Sequence, residues 1–452
     1  MSNKSSVVYL SSSYLDVAFL INQDKVVKIF YDAKDNLPKL NSIYLGKIID
    51  KSDANGCFFI NLDDKHKAIL KFHKNNSHYK VGENILVQII RESFQIDEVE
   101  KNSICSDDIA LLGKFVIYKP LGNNFIINKN LDNDKKIALK NLHILQDFTG
   151  LLRGSYKHNN QDLLIKEVEY LKNLYAKIKQ DTFGLVYKED LIYRACFDNS
   201  HYLVDSIIID GVIDVNKKDG DLWQIKQNHD YIKIEHYLNK EFIFEYFNIN
   251  EAIELAFANK YAITDAIQLV FFENESFNYI DVNFKSDNFF NSKEENSYKV
   301  NNQILPIIAQ IIELKNLSGQ ILVDLLKINN KNYNKNLISS ANIHLAKDTL
   351  KANALGFSNL GLLEIMRQKV KPTLNLDNDF KLKMAILTMM SHIQNLYINN
   401  LDKKIMIKVS QHFFDKLTNI AKLEYEKIMT DYNIQLIVDV NVKENYIVQF
   451  SK

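Results

Sequence analysis

The sequence predicts a mixed α/β (α+β) protein of several domains, and three observations carry that expectation. Short alternating strands crowd the stretch from Val7 to Arg91, strands and amphipathic helices interleave from Gln161 onward, and the interleaving repeats on a smaller scale after Lys371-Pro372. The size agrees: 452 residues at roughly 150 per domain make about three domains. A composition of 46% hydrophobic and 25% charged residues suits a chain that buries a core.

Taken in order, the first strands are Val7–Leu10, Asp16–Ile21, Lys25–Tyr31, Ser42–Ile49, Cys57–Asn61, Lys67–Lys71 and Asn84–Arg91, separated by turn clusters. Strands so short and closely spaced suit either a small OB-type barrel, which binds single strands on one face, or a β-meander that only packs. A helix follows over Gln161–Gln180, where Leu164, Ile165, Val168, Leu171, Leu174 and Ile178 recur at helical spacing. Strands are then expected at Leu203–Ile209, Leu269–Phe272, Ser276–Val282 and Gln320–Leu326, and helices at Asn301–Leu314 and Asn334–Lys351. The Asn-rich stretch Asn283–Asn301 reads as a polar loop. After Pro372 come helix Phe380–Asn395, strand Ile405–Val409, helix Gln411–Ile428 and strands Ile434–Val440 and Tyr446–Phe450, read as a separate small domain.

Charge and cysteine content narrow the function. Lys+Arg and Asp+Glu both number 56, so the formal charge is zero and no strongly basic surface advertises a nucleic-acid partner; any such partner must be held by local contacts. Cys57, Cys105 and Cys196 fit neither a disulfide framework nor a zinc ribbon, which points to a reducing compartment. No signal-like segment and no apolar run near the ~18 residues of a membrane span occurs, so a cytoplasmic location without membrane contact is expected. His66, His73 and His78 match no zinc spacing and read as loop histidines. Asp132-Asn133-Asp134 reads as a turn rather than a calcium loop, and no glycine-rich nucleotide loop is present.

Two carboxylates stand out because each closes an apolar strand: Asp281 in Phe277-Asn278-Tyr279-Ile280-Asp281-Val282-Asn283 and Asp324 in Gln320-Ile321-Leu322-Val323-Asp324. The carboxyl ends of strands in open α/β sheets are where sites form. If the strands are neighbours, the pair can share a hard cation such as Mg2+, which needs few protein oxygens. Two solvated strand-end aspartates are the other reading, and the pattern leaves both open.

The stretch from Asn274 to Lys369 resembles the catalytic region of the ribonuclease E/G family. The residues that carry the resemblance are Tyr279-Ile280-Asp281-Val282-Asn283, Glu294-Glu295, Lys299 and Asn301, then Lys315-Asn316-Leu317-Ser318-Gly319 leading to Asp324, and Leu355-Gly356-Phe357 through Gly361-Leu362-Leu363-Glu364-Ile365-Met366-Arg367. Asn41 to Lys47 and Val81 to Gln88 are similar to the family's S1 barrel. Tyr187 to Arg194 and Val204 to Asp210 are similar to further family segments. The resemblance implies an RNase H-like fold (1–38 and 115–220) interrupted by an S1 domain (39–114), then a nuclease-like catalytic domain (221–371) and a small C-terminal α/β domain (372–452).

Carried over by position, the resemblance implies that Asp281 and Asp324 hold Mg2+, for which Mn2+ can substitute, and that Asn283 is an active-site amide. The implied reaction is endonucleolytic hydrolysis of single-stranded RNA to 5′-phosphate and 3′-hydroxyl ends, in rRNA processing or mRNA turnover. Phe59 falls on a base-stacking aromatic, Lys101 on a basic residue beside the site, Arg153 on the arginine of a 5′-monophosphate pocket and Arg367 on an arginine near the RNA backbone. The chain departs from the pattern at Ile69, Ile104, Gly154, Phe284-Lys285-Ser286, Lys315 and Ser318, which sets an RNA-binding protein with reduced or lost cleavage as the alternative. The family's Cys-Pro-x-Cys zinc link is missing, so a monomer or homodimer is expected rather than a zinc-linked tetramer, and no zinc.

Overall fold

A computed structural model describes residues 5–450 except 97–98, 128–135, 137–138, 140–141, 157–160, 179–180, 199–200, 211–220, 286–291, 400–404, 432–433 and 443–445. The expected turn at Asp132-Asn133-Asp134 and the departure at Ser286 lie outside these residues. The three cysteines are free and buried.

Strands β1 (Ser5–Ser11), β2 (Leu15–Asn22) and β3 (Lys25–Ala33) form an antiparallel meander. Five strands, β4 (Ile43–Ser52), β5 (Cys57–Asn61), β6 (Lys67–Lys71), β7 (Asn84–Arg91) and β10 (Ser103–Ser106), then close into a barrel, because β4 pairs with both β5 and β7. The hairpin β8 (Phe94–Ile96) and β9 (Val99–Lys101) projects from it. Tyr44, Ile48, Phe58, Ile60, Val87 and Ile89 fill the barrel. Gly46 is required there, since a Cβ would lie 2.6 Å from Ile60 Cγ2 and 2.9 Å from the Asn61 carbonyl. Of the two readings the strand pattern left open, a small barrel and a meander that only packs, these five strands take the closed one.

Four short strands, β11 (Leu111–Leu112), β12 (Val116–Tyr118), β13 (Phe125–Ile126) and β14 (Gly150–Leu152), make a small sheet under helix α1 (Gln161–Lys177). Strand β15 (Gly184–Tyr187) adds to the barrel through β4. After helix α2 (Leu191–Phe197), strand β16 (Val204–Asp210) returns to lie parallel to β1, and β17 (Lys233–His236) extends that sheet beyond helix α3 (Asp221–Asn228). The first sheet thus has the order β17-β16-β1-β2-β3, with the barrel inserted in the chain between β3 and β16.

Beyond helix α4 (Ile249–Phe257) comes a six-stranded sheet of order β18-β19-β20-β21-β23-β22, built from β18 (Lys260–Thr264), β19 (Ile267–Glu273), β20 (Phe277–Phe284), β21 (Gly319–Asp324), β22 (Ala352–Phe357) and β23 (Leu363–Arg367). Helices α5 (Lys293–Leu314) and α6 (Lys331–Leu345) pack on one face, where Leu269, Ile280, Val282, Ile321, Val323 and Ile365 meet Ile304, Ile308, Ile312, Leu337 and Ala341. Two expectations change here. Helix α5 starts two turns before Asn301, capped by Ser292, whose hydroxyl accepts from the Glu295 amide at 3.2 Å. Helix α6 ends at Leu345, and the residues beyond it form the unanticipated hairpin of β22 and β23, which covers the edge of β21.

The C-terminal elements are helix α7 (Asn378–Asn399), helices α8 (Gln411–Ile420) and α9 (Lys422–Asp431), and a sheet of order β25-β24-β26 from β24 (Ile405–Val409), β25 (Ile434–Val438) and β26 (Tyr446–Phe450). The single helix expected over Gln411–Ile428 breaks at Ala421, which leaves helical geometry at φ −116° and ψ 44°. Phe380, Met384, Leu387 and Ile407 belong to one apolar core with Val8, Leu10, Phe19 and Ile29 of the first sheet.

Candidate active site on an open sheet face

Strands β20 and β21 run parallel, and their register sets Asp281 directly opposite Asp324. Neighbouring strands lie about 4.8 Å apart and paired residues point to the same face, so the two carboxylates project side by side. Among the described residues, the face they occupy is the one opposite helices α5 and α6. Along β20, Asn278, Ile280 and Val282 are buried against α5 and α6, whereas Tyr279, Asp281 and Asn283 alternate outward. Asp281 therefore does not end its strand, as the sequence pattern suggested; β20 continues through Asn283 to Phe284, and outward alternation makes a mid-strand carboxylate inexpensive.

Each carboxylate is oriented by a neutral donor. The Tyr279 hydroxyl donates to Asp324 Oδ2 at 2.9 Å, and Asn283 Nδ2 donates to Asp281 Oδ2 at 2.8 Å. Burial, the hydrogen bond to Asp324 and the charges of Asp324 and Asp281 push the Tyr279 phenol up to about 12, so it remains a donor at neutral pH. Among the described residues no cationic side chain is ion-paired with either aspartate, and no group of three or more His, Cys, Asp or Glu gathers to hold a metal, here or elsewhere. His66 contacts Asp63, and His73 Nε2 lies 2.7 Å from Asp107.

The chain around Asp324 is held from both sides. Asn301, 1% exposed, clamps the segment just past it: its Nδ2 donates to the Leu326 carbonyl at 2.7 Å and its Oδ1 accepts from the Leu326 amide at 3.0 Å. Glu294 Oε1 accepts from the amides of Asn329 and Asn330 at 2.6 and 2.8 Å. Before β21, helix α5 ends in a Schellman arrangement, with the Leu317 amide donating to the Ile312 carbonyl, the Asn316 amide donating to the Glu313 carbonyl, and Asn316 at φ 52°. The left-handed position that follows, φ 78°, is Gly319, which the chain retains; Ser318 and Lys285 lie outside the set of positive-φ residues. Substitution at those two positions therefore brings no left-handed strain.

Arg367, expected near the RNA backbone, is 1% exposed. Its Nε donates to Asp348 Oδ2 at 2.6 Å and its Nη1 donates to Asn316 Oδ1 at 2.8 Å and the Leu317 carbonyl at 3.0 Å, tying β23 to the turn before β21. Lys315 is likewise internal: fully buried, it pairs with Glu273 at 2.8 Å and donates to the carbonyls of Ala256 and Ala258 at 2.9 Å. Burial lowers its ammonium pKa, with Glu273 opposing that shift.

On the barrel, Phe59 is half-buried and heads a row of register partners that crosses four strands: Phe59, Ile69, Ile104 and Arg91. The two isoleucines that replace polar or aromatic family residues thus extend the apolar strip beside Phe59. Lys101 pairs with Glu275 at 3.1 Å, which puts the hairpin against the start of β20. Arg153 donates to the carbonyls of Gly113, Phe197 and Asp198, so much of its guanidinium serves the small sheet and helix α2. Sequence reasoning missed Tyr279, Arg91, Phe94 and Lys369. Tyr279 was readable, two residues before Asp281 on the same strand face. Lys369 and Arg91 converge on the Phe94 ring, at 5.2 and 5.8 Å from its centre, only because separate domains meet there.

Comparison with known proteins identifies the family. The model of the ribonuclease E/G family matches residues 110–370. A ribonuclease E/G-like protein of Pyropia yezoensis is 26% identical over 357 residues, covering 73% of this chain and 69% of that protein, and one of Porphyra purpurea matches to the same extent. Ribonuclease G of Escherichia coli (strain K12) is 21% identical over 310 residues, 65% of this chain and 61% of that protein. The chain belongs to the ribonuclease E/G family. Among the described residues no helix is long and apolar enough to cross a membrane.

Proposed function

From membership of that family, we propose that this chain is a divalent-cation-dependent endoribonuclease. It hydrolyses cytoplasmic single-stranded RNA to 5′-phosphate and 3′-hydroxyl products, in rRNA processing or mRNA turnover. Asp281 and Asp324 would hold Mg2+, with Mn2+ able to substitute. One observation carries the reading: two carboxylates stand in register on an open sheet face, oriented by neutral donors and without a cationic partner among the described residues. Like charges so placed repel unless a cation joins them, and two aspartates with room for water suit a hard ion.

The bound cation supplies Lewis-acid polarisation of a phosphoryl oxygen and a lowered pKa for water. The chain's own residues do the positioning. Tyr279 and Asn283 fix the two carboxylates, Asn301 and Glu294 hold the segment after Asp324, and the exposed Asn283 offers the rest of its amide to the phosphodiester. Phe59 would stack a base, Lys101 would approach the backbone, and Arg153, with donors left over from its carbonyl contacts, would face a 5′ phosphate.

The strand order β3-β2-β1-β16-β17 supports an RNase H-like fold over 1–38 and 115–220, and the closed barrel an S1 module over 39–114. The sheet with the aspartates corresponds to a nuclease-like domain over 221–371, with 372–452 a small α/β domain without a zinc link. The alternative, a binding protein that has lost cleavage, draws on the departures at Lys285 and Ser318; their unstrained backbone favours the enzyme.

The test uses a 5′-monophosphorylated AU-rich oligonucleotide with and without Mg2+. Asp281→Asn and Asp324→Asn should each slow cleavage roughly 10³-fold, about 4 kcal/mol, while RNA binding and the melting temperature hold. Cleavage that survives both substitutions would remove the aspartates from the mechanism, and binding without cleavage by the unmodified chain would select the alternative.

A further inference from the structure

The open face that carries Asp281 and Asp324 also carries aromatic side chains that no core explains. Stepping along β20 away from Asp281, Tyr279 lies beside Phe272 of β19 in register, with ring centres 5.9 Å apart, and Phe277 lies beside Gln320, which in turn faces Met366. Phe272 is 57% exposed, Phe277 39% and Met366 42%. Single exposed apolar residues are ordinary, but a contiguous group in two successive rows on one sheet face marks an interaction surface.

The far end of these rows meets positive charge. Glu275, two residues before Phe277, is paired with Lys101, and its carbonyl accepts from Lys369 Nζ at 3.1 Å. Lys369 and Arg91 both sit over Phe94, and the buried Arg91 Nε has no hydrogen-bond partner among the described residues. Among the described residues, Lys101 and Lys369 contact Glu275, and Arg91 lies with Lys369 on the Phe94 ring and donates from Nη2 to the Asn102 carbonyl at 2.8 Å. Burial lowers the Lys369 ammonium pKa, Glu275 opposes that shift, and the like charges of Arg91 and Lys101 add to it. Among the described residues the cluster sets three cations against the one carboxylate of Glu275, a balance that favours an anion, and Arg91 links it by register to the row that begins at Phe59.

We infer that this face is the path of the single strand between barrel and active site: a phosphate rests at Arg91, Lys101 and Lys369, one base stacks on Phe277, and the next stacks on the Phe272 and Tyr279 pair before the strand reaches Asp281 and Asp324. The inference rests on the ribonuclease reading and adds the subsites on one side of the scissile bond. The spacing suits the occupant. Successive outward rows are about 6.6 Å apart, comparable to the reach of one unstacked nucleotide, and aromatic faces accept any base. A duplex could not stack its bases there, since they are already paired inside the helix.

The test measures binding, without divalent cation, of a single-stranded oligonucleotide carrying 2-aminopurine, whose fluorescence is quenched by stacking. The double variant Phe272→Ala/Phe277→Ala should weaken binding 10- to 100-fold and relieve the quenching, while Phe272→Trp/Phe277→Tyr keeps both near the unmodified values and Phe272→Leu/Phe277→Leu does not. In cleavage the alanine pair should raise KM and leave kcat within about two-fold. Both positions are exposed, so an unchanged melting temperature verifies folding. Unmodified protein that binds and cleaves RNA, with the alanine pair binding equally well, overturns this inference alone. Equal competition by duplex also overturns it. An unmodified chain that neither binds nor cleaves single strands overturns the ribonuclease reading itself.

Discussion

The two sides of one sheet treat charge in opposite ways. On the open face, Asp281 and Asp324 stand together with neutral hydrogen-bond donors and no cationic partner among the described residues. At its inner edges, Lys315 and Arg367 are sunk to 0% and 1% exposure, each matched to a carboxylate, Glu273 and Asp348. A further buried set joins Asp32, Arg194 and Lys371 under the first sheet, with Arg194 and Lys371 2.7 and 2.9 Å from Asp32. Taking a charge out of water is tolerable only when its partner comes too. Opposite charges paired inside therefore hold the scaffold together, whereas the like charges left together outside are where the proposed cation would sit.

The largest effect that could break this contrast lies at Arg367. If it is structural, Arg367→Ala leaves Asp348 buried and alone and should lower stability by about 3–5 kcal/mol, visible as an early transition in thermal or urea melts. An intact melt with weakened RNA binding would return Arg367 to the substrate.

A pH series sharpens the same side. Glu189, 3% exposed, accepts from Asn41 Nδ2 at 2.6 Å, and burial raises its pKa to about 7, with Arg194 opposing. A raised folded-state pKa means that the folded protein binds more protons than the unfolded chain between about pH 4.5 and 7. The stability this carboxyl contributes is complete below pH 4.5 and is lost as pH rises through 7. Glu189→Gln cannot ionise, so its melting temperature should fall less between pH 5 and 8 than that of the unmodified protein, with a difference of up to ~3 kcal/mol. Identical slopes would mean that Glu189 is already ionised in the folded state at pH 5.

The smallest effect concerns the open face. Asn283→Ala removes the donor that orients Asp281 without emptying any core, and should slow cleavage roughly 10- to 100-fold at an unchanged melting temperature. A large loss of stability instead would place Asn283 with the scaffold.

Much of this was legible from the residues. The alternation of the strands from Val7 to Arg91, the helical spacing of Leu164 to Ile178 and the apolar runs that lead to Asp281 and Asp324 all survive in the structure, because period-2 and period-3.6 burial leaves its mark on sequence. The hairpin of β22 and β23 was not legible. Its residues, Ala352–Phe357 and Leu363–Arg367, mix glycine, polar and apolar positions, and they become strands by pairing with β21. Nor was the fate of the basic residues. Arg367 and Lys315 carry the same side-chain chemistry as a surface phosphate contact, and only the closure of β23 over β21 and of α4 against α5 buries them.

The sequence by itself determined which residues could do chemistry: two aspartates at the outer positions of apolar strands, an asparagine two residues past the first, and a motif in which their neighbours keep a family's spacing. Those are local properties, set by alternation along one strand. Only the tertiary structure decided that the aspartates stand opposite each other, that Arg367 points inward, and that Arg91, Phe94, Lys101 and Lys369 converge from the barrel and from the end of β23 near Glu275, at the start of the strand that carries Asp281. The physical reason is that strand register and domain contact join residues far apart in the chain, and no local pattern of hydrophobicity or charge encodes which distant partner a surface side chain will meet.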